Sequence, residues 1–196
     1  MGLAVLILGL VVFLGAHAFV TARQIRAATI ARLGKGYWLL FALSATIGVA
    51  LIAWGFSIYR RTGWIDVWSP PAFMHHITVG LMWLATILVL AAYLPSHIKK
   101  WTKHPMLAGV KTWAFAHLLS NGDLGSIILF GSFLGWAVYA RIAVKHREAA
   151  GGINGTVNAG PGWTNDIIVL VLGTAIYLAL GYVFHPVIVG VPVFVR

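Results

Sequence analysis

The residues most able to do chemistry in this sequence are its eight histidines, because cysteine is absent and Asp and Glu together number only four. The absence of cysteine excludes disulfides, thiolate metal sites and iron–sulfur clusters. His17 follows Gly15 and Ala16 in one long apolar run, and His117 lies in another. Polar groups inside a bilayer are costly and usually serve a function, so these two histidines are the first candidates for a site.

Two imidazoles from different helices suit the axial positions of one haem iron, whose porphyrin is mostly apolar. The favoured pair is His17 with His117. With upright helices their depths differ by about 10 Å, a difference that helix tilt would reduce. His104, at the start of the segment that carries His117, is the nearest substitute for one ligand. The structural alternative is that each buried histidine donates to a carbonyl of a neighbouring helix.

Three further polar residues join the candidate cofactor site. Lys111 lies within an apolar segment, so it either extends toward the surface or pairs with a carboxylate, a carbonyl or a haem propionate. Asn121 and Asp123 follow His117 in a turn, where they either only form the turn or also orient that histidine or cap the next helix. Zinc has little support, because there is no His-Glu-x-x-His pattern and the acidic residues are scattered.

Membrane helices must position these residues, since 60% of the chain is apolar and 9% is charged, unlike a water-soluble domain. Runs long enough to span a bilayer lie at 3–22, 38–59, 76–94 and 167–189. Shorter runs at 105–119 and 124–140 flank Ser120-Asn121-Gly122-Asp123, which predicts a helical hairpin. Its first arm covers only about 22 Å. We therefore predict one all-α domain over 1–196, an integral membrane bundle of about six transmembrane helices with a short fourth helix.

The basic residues predict the orientation of the bundle. Of the fourteen Lys and Arg, Lys111 lies in an apolar arm and three fall on the outer side (Arg60, Arg61 and Arg196). The other ten fall in loops on the opposite, cytoplasmic side: Arg23, Arg26, Arg32, Lys35, Lys99, Lys100, Lys103, Arg141, Lys145 and Arg147. This division places both termini outside and explains the net charge of +10 without nucleic acid. It also argues against a removable signal peptide, because the positive charges follow the first run.

Two glycine patterns carry further expectations. The segment 149–163 contains Gly-Gly, Asn-Gly and Pro-Gly pairs and is predicted to be a flexible loop on the cytoplasmic side. Gly131 and Gly135 are spaced so that another helix can approach closely, within the chain or in an oligomer. The histidines of the basic loops, His97 and His146, are expected to contact solvent or lipid headgroups.

Several short motifs together resemble the NnrU family. They are Leu14-Gly15-Ala16-His17, Lys103-His104-Pro105-Met106-Leu107-Ala108-Gly109, Trp113, Ala116-His117-Leu118-Leu119 and Asn121-Gly122-Asp123. The resemblance implies a multi-pass protein of the bacterial inner membrane, with periplasmic termini here, that is associated with nitrite and nitric oxide reduction in denitrification. Denitrification reductases are the partners it implies, in addition to the lipid bilayer.

The same pattern is similar to 15-cis-zeta-carotene isomerase, a membrane enzyme that holds haem b through histidines. Carried over to this sequence, those histidines are His17 and His117. The chain departs from the isomerase at the hairpin turn and at Lys103, where an arginine is common. The leading expectation is therefore a haem b protein that supports denitrification. The alternatives are a haem-dependent cis–trans isomerase of a polyene lipid and a non-catalytic assembly factor.

Overall fold

A computed structural model describes residues 1–151 and 162–194. Within them the chain is helical: α1 (Gly2–Phe19), α2 (Arg23–Leu33), α3 (Lys35–Thr62), α4 (Phe73–Ala91), α5 (His97–Thr102), α6 (Pro105–Ser120), α7 (Leu124–Ala149), α8 (Trp163–Ala179) and a π-helix (Leu180–Val189) that continues α8. Each of the six predicted apolar runs is helical over most of its length, although α1 and α4 end three residues before the runs predicted at 3–22 and 76–94. The all-α class is confirmed.

Five of the described helices are long and apolar enough to cross a membrane: α1, α3, α4, α7, and α8 with its π-helix. Such helices satisfy their own backbone hydrogen bonds, as a lipid environment requires. The chain is therefore a multi-pass membrane protein. Helix α6 has 16 residues, in line with the short arm predicted from the sequence. Most of the predicted loop over 149–163, and Arg196, lie outside the described residues.

The described residues form two compact units. The first contains Met1–Ser69 and Asn121–Gly151, and so holds α1, α2, α3 and α7. The second contains Pro70–Ser120 and the described part of Gly152–Arg196, and so holds α4, α5, α6, α8 and the π-helix. The single domain over 1–196 stays a prediction.

Helices α1 and α3 of the first unit pack backbone against backbone. A Cβ atom added at Gly55 would collide with the backbone of Leu6, and one added at Gly48 would lie 2.7 Å from the Phe13 Cβ. Gly9 is equally crowded by α3. Lipid offers no hydrophobic drive for helix association, so contacts of this kind between small residues hold helices together.

The glycines that the sequence singled out for close packing are different ones. Cβ atoms added at Gly131 and Gly135 of α7 would meet no described atom within 4 Å. The expectation that these two glycines pack a helix of the same chain is therefore wrong within the described residues. In this unit glycines of α1 and α3 allow the close approach instead, because rotation about the helix axis decides which face meets a neighbour.

In the second unit α6 runs antiparallel to α4. The Thr78 hydroxyl donates to the Ala116 carbonyl at 2.9 Å. Toward the other end of the pair, a Cβ atom added at Gly109 would lie 3.0 Å from the Ala85 carbonyl oxygen and 2.8 Å from the Val89 side chain. Helix α6 therefore runs back along α4 from Val89 to Thr78. It returns the chain to the end at which α4 begins, which supports the predicted sixth crossing.

Candidate cofactor site

His17 lies in the last turn of α1 among aromatic rings of the first unit. Its Nδ1 atom is 2.7 Å from the Phe13 carbonyl oxygen, so Nδ1 carries the proton and the lone pair is on Nε2. The ring stacks on Phe13 with centroids 4.2 Å apart, and Phe41 and Trp136 lie at 5.2 and 5.8 Å. The carbonyl that accepts the proton belongs to α1 itself, not to a neighbouring helix as the structural alternative supposed.

The indole beside His17 is an unsatisfied donor. Trp136 Nε1 is buried and has no hydrogen-bond acceptor among the described residues. Buried indole N–H groups normally find an acceptor. A site next to His17 therefore offers one hydrogen-bond donor in addition to the imidazole.

His117 shows the same local arrangement in the second unit. Its Nδ1 atom is 2.9 Å from the Trp113 carbonyl oxygen, four residues earlier in α6. The bond again places the proton on Nδ1 and the lone pair on Nε2. A carbonyl that accepts the Nδ1 proton is the usual outer-shell partner of a histidine that binds metal through Nε2.

The structure brings a second histidine to His117 that was not predicted as a ligand. The ring centroids of His117 and His185 are 6.3 Å apart, with an angle of 23° between the ring planes. His185 Nδ1 is buried and has no hydrogen-bond partner among the described residues. In the sequence His185 stood out only as a histidine followed by Pro186 in an apolar run. Its contact with His117 could not be predicted, because the two residues are far apart in the chain.

The two other candidates near His117 in the sequence, His104 and Lys111, lie just before α6 and within it. His104 precedes the helix, and its carbonyl accepts the first backbone bond, from Ala108 at 3.1 Å. Lys111 is half-buried, and within the described residues it makes neither a hydrogen bond nor an ion pair.

The turn residues belong to the first unit. The buried Asp123 carboxylate accepts from the Ser126 backbone N–H at 2.9 Å and caps α7, which confirms the capping alternative. Asn121 opens the turn. The loop before α4 bonds to this turn, with Val67 N–H donating to the Gly122 carbonyl at 2.9 Å. Because His17 and His117 belong to different units, their pairing stays a prediction.

His97 is not the solvated loop residue that the sequence suggested. Its Nδ1 atom lies 2.6 Å from a carboxylate oxygen of Asp166, and the other carboxylate oxygen accepts from the Ile98 backbone N–H at 3.3 Å. Beside them, the Asn165 amide donates to the Pro95 carbonyl at 2.8 Å. These bonds fasten the start of α5 and the residues just before it to the first turn of α8.

No group of three or more His, Cys, Asp or Glu side chains among the described residues could hold a metal ion. A bare ion at His117 would thus find few protein ligands. Haem iron requires at most two, since the porphyrin supplies the others.

The fold defines an all-α membrane bundle of the multi-pass class. Compared with protein families, residues 5–193 match NnrU protein. The chain belongs to the NnrU family. Neither a curated protein nor a solved structure matches it.

Proposed function

We propose that this NnrU-family protein binds one haem b in the membrane and supports nitrite and nitric oxide reduction. The observation that carries the proposal is the hydrogen bonding of His17 and His117. Each donates its Nδ1 proton to the carbonyl four residues earlier, Phe13 or Trp113. Each ring therefore has its lone pair on Nε2, the form that binds iron, and its orientation is fixed by the helix.

Haem fits this donor set better than a bare metal ion. The described residues hold no cluster of three ligands, and an apolar bundle is a suitable environment for a porphyrin. His117 would hold the iron, with His17 as the partner predicted from the sequence. Lys111, which has no partner among the described residues, would neutralise a propionate. When bound, the haem would supply an iron centre able to bind nitric oxide or change redox state.

The proposed setting follows from the charge distribution and the family. We place the protein in the bacterial inner membrane with periplasmic termini, close to denitrification reductases. In this setting His117 would lie in the outer half of the membrane, because α6 ends at the turn predicted on the periplasmic side. Polyene isomerisation and a non-catalytic assembly role stay predictions.

The test is an absorption spectrum of the protein purified in detergent and supplied with haemin, before and after dithionite. We expect a Soret band that is reduced in His117→Ala and absent in the His17→Ala, His117→Ala double variant. His146→Ala is the matched control, because His146 is exposed near the end of α7 and should leave the band unchanged. A wild-type protein that takes up no haem, or a double variant with an unchanged band, refutes haem binding at these residues.

The physiological half of the proposal needs a second measurement. In a denitrifying host that lacks the protein, wild-type protein should restore nitrite consumption, and His117→Ala should not. If both proteins restore nitrite consumption equally, the physiological role does not depend on His117, and this half of the proposal is wrong.

A further inference from the structure

We infer that His185 is the axial partner of His117, so that α6 and the π-helix hold one haem iron between them. The inference rests on the proposed haem function and changes its second ligand from His17 to His185. Both histidines belong to the second unit, so their separation is given directly by the structure.

The spacing of the two rings is that of a metal-bridged pair. Each metal–nitrogen bond to imidazole is about 2.0–2.1 Å long, and each nitrogen is about 1 Å from its ring centre, so two imidazoles on opposite sides of a metal have centres about 6 Å apart. The observed value is 6.3 Å. The 23° angle between the planes is compatible with this arrangement, because rotation about each metal–nitrogen bond changes the angle without changing the spacing.

The unsatisfied atom of His185 points to a missing ligand. Buried polar side-chain atoms in folded proteins nearly always have a hydrogen-bond partner, and an exception requires a physical explanation. His185 Nδ1 is such an exception among the described residues. Metal binds to a neutral imidazole through either nitrogen. A metal centre between the rings would give His185 Nδ1 the partner that it lacks among the described residues.

The backbone that carries His185 is unusual and held in place. π-Helices are rare and occur frequently at functional sites. Pro186, inside this π-helix, has no backbone N–H to donate. The His185 carbonyl accepts bonds from the N–H groups of Gly190 and Val191. The chain after the π-helix is tied to α4, where His75 Nε2 lies 2.9 Å from the Val193 carbonyl oxygen.

Helix α4 bonds to both α6 and α8. Thr78 donates to the carbonyl of Ala116, the residue before His117. The hydroxyl of Tyr177, on α8, donates to the carbonyl of the next α4 residue, Val79, at 3.2 Å. Neighbouring positions of α4 thus bond to α6 beside His117 and to α8, the helix that continues into the π-helix of His185.

The number of ligands selects haem iron over a free transition-metal ion. The described residues provide two imidazoles here and no third metal-binding side chain, whereas zinc sites usually have three or four protein ligands. Two trans imidazoles complete the coordination of a haem iron. The metal we assign to this pair is therefore that of the proposed haem.

The experiment uses the full chain in detergent with haemin, and reads the iron spin state by absorption and electron paramagnetic resonance. Wild type should show a low-spin, six-coordinate iron. His185→Ala should keep haem on His117 but convert it to a high-spin, five-coordinate form, with affinity for haemin lowered about tenfold or more. Added imidazole should restore the low-spin signal. His76→Ala is the matched control, because His76 is exposed and lies in the first turn of α4, close in sequence to Thr78.

Each outcome separates the inference from the proposed function. If His185→Ala stays low-spin while His17→Ala becomes high-spin, the His117–His185 pair is wrong and haem binding stands. If wild type binds no haem, both fail, and titration with Cu²⁺ or Zn²⁺ then shows whether the two imidazoles hold a free ion. His185→Gln, which keeps most of the side-chain volume, replaces the alanine variant if the latter does not fold, and the same spin-state change is expected.

Discussion

The contact between Gly48 and Phe13 links the packing of α1 and α3 to the environment of His17. In Gly48→Ala the new Cβ atom would lie 2.7 Å from the Phe13 Cβ and 2.8 Å from its nitrogen, whereas ordinary contacts are 3.4–4 Å. The helices must therefore separate locally by about 0.7 Å. The Phe13 ring stacks on His17, and the Phe13 carbonyl accepts a hydrogen bond from His17 Nδ1, so the imidazole shifts with Phe13.

The magnitude follows from two opposing effects. Overpacking a well-packed contact costs about 1–3 kcal/mol. Replacing glycine by alanine inside a helix contributes about 0.8–1.0 kcal/mol in the opposite direction. Gly131→Ala has only the second effect, because its Cβ atom would meet no described atom within 4 Å. The difference between the two variants isolates the contact, and we expect Gly48→Ala to be the less stable by about 1–3 kcal/mol.

The assay is reversible unfolding in mixed micelles, followed by circular dichroism as the fraction of denaturing detergent is raised. Gly135→Ala, also open to space in the described structure, should behave as Gly131→Ala does. The reasoning is refuted if the free energies of unfolding of Gly48→Ala and Gly131→Ala agree within about 0.5 kcal/mol, the usual range for substitutions without a packing effect.

Three further predictions concern the turn, the polar junction and the crossing of α6. Asp123→Ala should lower the free energy of unfolding by about 1 kcal/mol through loss of the cap on α7, and Asp123→Asn should retain most of it, since Asn caps equally well; equal losses would contradict the capping role. Asp166→Ala should lower the melting temperature through loss of a charge-assisted bond worth about 1.5 kcal/mol or more, and a melting temperature equal to that of Asp66→Ala would contradict this. If α6 crosses the membrane, single cysteines at Trp64 and Asn121 should be labelled from the same side by an impermeant thiol reagent, and a cysteine at Lys100 from the other. Labelling of positions 100 and 121 from one side would show that α6 does not cross.

Much of the helical pattern could be predicted from the sequence. The six apolar runs, the short arm at 105–119 and the turn at Asn121 all correspond to elements of the structure. The reason is that span length and turn chemistry are properties of consecutive residues. In lipid an apolar run must form its own backbone hydrogen bonds, so its length alone predicts a helix.

The sequence was less informative about which side chains meet. It indicated His17 and His117 as ligands, but only the structure showed that each donates Nδ1 to its own helix and that His185 approaches His117. It also gave no sign of the bond between His97 and Asp166. These contacts join residues far apart in the chain.

What the sequence by itself determined is thus the membrane class, the helices and a short list of histidines in apolar segments. Only the tertiary structure decided that Gly48 and Gly55, not Gly131, lie at a helix contact, and that a π-helix carries His185. The physical reason is that lipid and helix neighbours are equally apolar, so the pattern of apolar residues does not reveal which helix face is buried. Rotation and register are set by packing between distant segments, and these determine which imidazoles come together.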